Sequence, residues 1–357
     1  MQCFEYPDIT AGANLKIFKG RKILSDLSNT SNVSIQVPKC KINPENINDY
    51  GQKSTKNGVD ENTFTDNWTI SSFPSKKDCK KQTSSIKDES AYIKNLDLPY
   101  KNDIFEYLRE LELSNRVNLD ILHKRRGISM NNRAALVNWL IESSIKYDFT
   151  SQMIQKSVYY IDRFLTRNEI DLSEFQELGA SALSLAFKYE SVYPPPSKFF
   201  SEELMLEGSP DSRLTKMEQR ILQTLEFQLG YPTSLSFIEI YCSVLGSMVK
   251  SDFYFLQYLS EVALLDETIC AQYLPSKIGA ACLILGNMFN ETHPKWPRDL
   301  ISFTHLELFE LIEIVKHLYR FYKSLVKSNY KSVIQKYSSG KYDYPEFSLR
   351  FSIDIKE

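Results

Sequence analysis

NRAALVNWLIE, Asn132–Glu142, and SVYYIDRFL, Ser157–Leu165, are joined through a polar stretch at Asp148–Gln152. Leu136, Trp139 and Leu140 recur at helical spacing in the first segment, and Ile154, Val158, Ile161 and Leu165 do so in the second. That period predicts two consecutive amphipathic helices. Arg133, Trp139 and Glu142 are unusual choices for a plain core helix. Arg133 is expected to bond buried carbonyls or carboxylates between helices.

The same period continues downstream. Leu178, Ala182, Leu185, Ala186 and Tyr189 predict a third helix over 172–190, stopped at Pro194–Pro195–Pro196. A short helix is expected over Ser197–Leu204. Leu214, Met217, Ile221, Leu225 and Leu229 mark a longer one, ending near Gly230–Tyr231–Pro232. A second helical set follows Pro232. Ser234 is read as the cap of its first member, Phe255–Leu265 lies in the next, and Pro275 opens a third. Leu308, Leu311, Ile312, Val315, Leu318 and Tyr322 mark the last long helix. Upstream, Asp103 is read as the cap of a helix carrying Ile104, Tyr107, Leu108 and Leu111. Alternating apolar and polar runs are scarce, so no strands are expected.

Leu178–Leu185, LGASALSL, echoes Ile278–Leu285, IGAACLIL. Each is a small-residue helix that neighbours can approach closely, which suggests two helical domains, each built round a central helix. Residues 1–95 differ in kind. They are rich in Ser, Thr, Asn, Lys and Asp without apolar period, and are expected to form a disordered arm.

The chain has 357 residues, 42% hydrophobic and 25% charged, with a formal net charge of −2. That is globular composition without a basic field to draw it to nucleic acid. The start lacks a secretory signal pattern, and the most apolar run, 278–289, is too short to cross a bilayer. Six cysteines without a CxxC pair read as free thiols in a reducing compartment. There is no Walker loop, GxGxxG, HExxH or GxSxG, and the four histidines are dispersed. A helical protein without catalytic or cofactor motifs is expected to act through its surfaces, with no cofactor and no metal.

Five segments carry a resemblance to the A/B-type mitotic cyclins. DIFEYLRELE (103–112) resembles the helix before the first cyclin box, and NRAALVNWLIE resembles the MRAILVDWL motif. YIDRFL (160–165) matches the second helix. LAFKYESVYPP (185–195) resembles LASKFEEIYPP, and TKMEQRILQTLEFQLGYPT (215–233) resembles the fifth helix with its link to the second box. The resemblance implies an all-α fold: two tandem five-helix cyclin boxes, at 96–231 and 232–330, with a preceding N-terminal helix. The disordered regulatory arm would occupy 1–95 and a C-terminal tail 331–357.

It implies, too, a non-enzymatic regulatory subunit that activates a cyclin-dependent kinase at G2/M, in nucleus and cytoplasm. Lys188 and Glu218 stand at the Lys and Glu that the family directs at the kinase. Tyr189, Glu190, Phe227, Ile104 and Tyr107 match contact positions beside them. Read by spacing alone, Lys188 is a solvated lysine near a helix end and Glu218 an exposed carboxylate, while Tyr189 and Phe227 could equally be core. A second surface, the groove for Arg-x-Leu motifs, would be lined by Trp139, Leu136, Ala135, Glu142, Phe175 and Gln176. Trp139 could equally be plain core. The chain departs from the family at Asn132, the Met position, and at Ala135, the Ile position. Both changes remove apolar area, on the order of 1–3 kcal/mol of docking energy.

RKILSDLSN (21–29) fits the destruction-box pattern through Arg21, Leu24, Leu27 and Asn29, implying ubiquitination by the anaphase-promoting complex. Lys76–Lys77 and Lys80–Lys81 are a candidate import signal or a solvated charge run. Two other classes share the two-box fold. A nucleic-acid-bound transcription factor is disfavoured by the near-neutral charge and missing CxxC pairs. A transcription-type cyclin is disfavoured by the destruction box. No membrane partner is expected.

Overall fold

The computed structural model describes residues 100–117, 129–205, 210–246, 248–290, 294–325, 327–338 and 342. The destruction-box pattern and the lysine cluster lie outside these residues. Helices alone supply the regular structure among the described residues. They are α1 Lys101–Ser114, α2 Met130–Tyr147, α3 Ser151–Arg167, α4 Phe175–Glu190, α5 Ser197–Leu204 and α6 Asp211–Thr224. A second set comprises α7 Ser234–Leu245, α8 Lys250–Leu265, α9 Glu267–Gln272, α10 Pro275–Phe289, α11 Arg298–Thr304, α12 Leu308–Leu325 and α13 Ser332–Tyr337. None is long and apolar enough to cross a membrane.

Local chemistry sets the boundaries. Ser129 caps α2 and Thr150 caps α3, each hydroxyl accepting a first-turn backbone N–H. Pro275 occupies the first turn of α10, where its missing N–H leaves no helical bond unmade. Three expected ends move. Asp103 lies inside the first turn of α1, whose cap is Tyr100, so its carboxylate serves the helix dipole rather than a cap bond. Thr233, not Ser234, caps α7 and shares a capping box with Ser236. The helix expected to run to Gly230 stops at Thr224, because Glu226 and Phe227 both adopt left-handed backbone, φ 54° and 61°.

The first set packs round α4, which touches α2, α3, α5 and α6. The second packs round α10, which touches α7, α8 and α12. Both central helices hold a glycine where a neighbour comes close. A Cβ at Gly179 would lie 2.8 Å from Leu136 Cδ1, and one at Gly279 would lie 2.9 Å from the Ser234 carbonyl oxygen. The echo between the two small-residue segments thus has a packing cause. Leu178, Ala182 and Ala186 on α4, and Ala280, Leu283 and Leu285 on α10, are fully covered.

Residues near both ends tie the two sets together. On α1, Phe105 packs on Phe303, with ring centroids 4.8 Å apart, and Glu112 accepts the Ser276 backbone N–H at 2.9 Å. The segment expected as a C-terminal tail includes α13, which packs on α2 and α8. There Lys336 meets the fully buried Glu261 at 2.6 Å, and the Tyr337 hydroxyl donates to the same carboxylate at 2.9 Å. Ser151, at the start of α3, hydrogen-bonds that carboxylate too. A buried Lys–Glu pair with extra donors fixes the register of a short helix that could not hold itself.

Candidate functional site

Lys188 lies in the last turn of α4 and Glu218 in the middle of α6. The Lys188 ammonium donates to Glu218 Oε1 at 2.7 Å and Oε2 at 2.9 Å. The Ser184 hydroxyl donates to Oε1 at 2.6 Å, and Ser197 Oγ lies 3.3 Å from the ammonium. Glu218 is nearly covered while the Lys188 side chain is about one-third exposed. Reading by spacing alone made both groups solvated; Glu218 is instead a buried carboxylate held by two donors. The pair presents its cation outward and its anion inward, a fixed charge that a partner can meet without first ordering it.

The other residues matched to kinase contacts are exposed. Tyr189 is 48% exposed, Phe227 69% and Tyr107 59%, and Ile104 is exposed as well. None is core, the alternative open for Tyr189 and Phe227. Exposed aromatic side chains are enriched at interaction surfaces. Burial raises the Tyr189 phenol, and Glu190 and Tyr107 lie near enough to raise it further. Phe227 is thrown outward by the left-handed pair Glu226–Phe227. Each such residue costs about 1–2 kcal/mol, and strain of this kind is retained where the display of a side chain matters. Glu190 pairs with Lys156 of α3 at 2.9 Å, and the same ammonium sits 4.1 Å from the Tyr189 ring centroid.

The second candidate surface lies between α2 and α4. Leu136, Ala135, Phe175 and Gln176 are buried, and Trp139 is 2% exposed. The Gln176 amide donates to the Leu204 carbonyl at 2.8 Å. Trp139 therefore packs as core in this state, against Gly179, with its Nε1 buried and without an acceptor among the described residues. Glu142 is half-buried, and burial lifts its carboxyl to about 7. Asn132 has a structural reason for replacing the family's Met. Its side-chain oxygen accepts the Ser129 backbone N–H at 2.8 Å while Ser129 Oγ accepts the Asn132 N–H at 3.3 Å. This closes a capping box at the start of α2. The Ser-x-x-Asn spacing carried that signal.

Arg133 is fully buried and makes the bonds its position called for. Nε and Nη2 donate to the two Asp162 oxygens at 2.7 Å each, and Nη1 donates to the Leu264 carbonyl at 2.8 Å. Burial alone would loosen its proton, but the Asp162 carboxylate more than reverses this and holds the guanidinium charged. Sequence reasoning passed over Asp162, Ser184 and Lys156 as partners, since contacts between helices leave no mark on a helical period. Among the described residues no cluster of His, Cys, Asp and Glu could hold a metal.

Comparison with known proteins finds matches to both helical sets. The sequence model of the cyclin N-terminal domain matches residues 103–230, and that of the cyclin C-terminal domain matches 232–348. The G2/mitotic-specific cyclin-A of Drosophila melanogaster is 33% identical over 243 residues, covering 68% of this chain and 49% of the relative. Human cyclin-A1 is 31% identical over 68% of this chain and 52% of the relative. The cyclin-A of Hydra viridissima is 29% identical over 90% of this chain and 76% of the relative. The chain thus spans about half the length of the first two of these curated relatives. Among solved structures, a viral cyclin from herpesvirus saimiri superposes with a TM-score of 0.54 at 17% identity, over 68% of this chain and 99% of that one, which speaks for the fold alone. Two helical sets, each round a small-residue helix, and both domain matches in order lead to one conclusion: the chain belongs to the cyclin family.

Proposed function

We propose that this chain is the regulatory subunit of a cyclin-dependent protein kinase acting at G2/M. The observation that carries the reading is the Lys188–Glu218 pair, held in one geometry with its cation partly exposed, next in sequence to the exposed Tyr189. Relatives named G2/mitotic-specific cyclin-A support the same reading. The chain supplies no catalytic group. It binds the active arrangement of the kinase better than the inactive one and so shifts that equilibrium. Ile104, Tyr107, Tyr189, Glu190 and Phe227 complete the contact. Affinity capture of the full chain from synchronised cells, with mass spectrometry of what it retains, tests this. A cyclin-dependent kinase at near-stoichiometric yield is expected; its absence through the cycle overturns the reading.

The α2–α4 surface is proposed as the dock for Arg-x-Leu motifs, weakened by Asn132 and Ala135. It must open before an apolar anchor can enter, since Leu136, Trp139 and Phe175 are covered. Glu142 would receive the arginine, whose charge favours the ionised carboxylate and offsets the effect of burial. Arg21, Leu24, Leu27 and Asn29 are proposed as a destruction box read by the anaphase-promoting complex, with the protein in both nucleus and cytoplasm. Arg21→Ala with Leu24→Ala removes the charged and the apolar anchor of that motif together. The double variant is expected to persist through mitotic exit, with a half-life at least about threefold longer in a translation-arrest chase, the loss on the order of 0.7 kcal/mol or more in recognition. An unaltered decay rejects the motif.

A further inference from the structure

The Tyr189 hydroxyl lies over Gly230, in the link between the two domains: a Cβ on Gly230 would sit 3.0 Å from it and meet no other described atom within 4 Å. Gly230 does not need a left-handed backbone, since Gly246 is the glycine with positive φ among the described residues. Its missing side chain therefore serves space rather than conformation. The neighbouring Leu229 carbonyl accepts from the Tyr160 hydroxyl at 3.0 Å, so the floor beneath the phenol is tied to α3. The Lys156 ammonium stands 4.1 Å from the Tyr189 ring centroid. That ammonium is held by Glu190 at 2.9 Å, and the Lys156 side chain is largely covered. The ring and the hydroxyl each thus have a close neighbour although the residue is half exposed.

We propose that Gly230 and Lys156 are positioning residues for Tyr189, fixing it as a ready-formed anchor on the kinase-facing surface. An exposed aromatic side chain normally loses rotamer freedom when a partner covers it. Here that freedom is removed in the free chain: Gly230 leaves room for the hydroxyl, and Lys156 holds the ring through cation–π attraction. Tyrosine at 189 and glycine at 230 then form a matched pair, because only a phenol needs the space that the glycine leaves. The inference rests on the kinase-binding reading of this face and deepens it.

A double-mutant cycle on the full chain tests it, with purified monomeric mitotic cyclin-dependent kinase as the probe and calorimetry reading Kd. Gly230→Ala is expected to weaken binding about threefold, since the methyl group makes the hydroxyl give way by a few tenths of an ångström and shifts the ring with it. Gly230→Ala in a Tyr189→Phe background is expected to have no further effect, because the atom that clashes is gone. A general structural role for Gly230 would weaken binding equally in both backgrounds, and that result overturns the proposal. So does a Gly230→Ala chain that binds like the wild type. If Gly230→Ala does not fold, Lys156→Met carries the test: it weakens binding about threefold or more beside Tyr189 and has no effect beside Tyr189→Leu, and equal effects in both overturn the proposal. Failure of the wild-type chain to bind the probe removes the kinase reading and this inference with it. Binding with independent effects removes the inference alone.

Discussion

Lys188→Glu in the full chain is expected to remove co-purifying kinase, a loss of at least about thirtyfold in affinity, while the protein stays folded. The magnitude follows from truncating or reversing one partner of a desolvated charge pair at an interface, about 2–5 kcal/mol. Glu218 is nearly covered and keeps the Ser184 hydroxyl when Lys188 is reversed. The new carboxylate stands in the partly exposed last turn of α4 and can turn to water, but Glu218 loses its cation, so a lowered melting temperature short of unfolding is expected. The swapped variant, Lys188→Glu with Glu218→Lys, separates fold from contact. It restores an internal ion pair but shows the partner an anion where a cation stood. Melting temperature is expected to recover toward the wild-type value while kinase retention, measured by pull-down and calorimetry, stays lost. A swapped chain that binds like the wild type would make the pair a fold element only, and would move the contact to the exposed Tyr107, Tyr189 and Phe227.

The residues of this site were legible to different degrees, for physical reasons. Ser197–Leu204 reads directly from the sequence, since Pro196 marks its start and Phe200 and Leu204, four residues apart, form its buried face. Lys188 and Glu218 were found through family motifs, but the burial of Glu218 was not, because covering it takes Ser184 and Lys188 from another helix. The end of α6 was misplaced for a local reason. Glu226 and Phe227 carry no glycine to announce left-handed backbone, and Leu229 keeps the apolar period going past the true stop. The close approach at Gly179 and Gly279 was visible as small residues, whereas which helix approaches was not. Trp139 shows the opposite difficulty: the motif announces a surface residue, and the chain by itself covers it.

Arg133→Ala is expected to cost about 3–5 kcal/mol of stability, the range for breaking a buried ion pair by removing one partner. Three bonds vanish at once: two to Asp162 at 2.7 Å and one to the Leu264 carbonyl at 2.8 Å. The two acceptors belong to different helical sets, α3 and α8. The lost guanidinium thus both strands an anion in the interior and cuts a tie between the domains. Asp162 is nearly covered, so water cannot readily replace the donor. At roughly 2–4 °C per kcal/mol for a unit of this size, the melting temperature is expected to fall by about 6–20 °C in scanning calorimetry. Arg133→Lys should fall short of rescue, because an ammonium cannot grip both carboxylate oxygens and the carbonyl together. The informative control is Arg133→Met with Asp162→Leu, which removes the charge as well as its partner. That pair is expected to be more stable than Arg133→Ala alone, because no unpaired carboxylate remains. If it is no more stable than Arg133→Ala, the stranded charge is not what the substitution costs, and the loss lies in what both variants share, among it the missing inter-domain bond to Leu264.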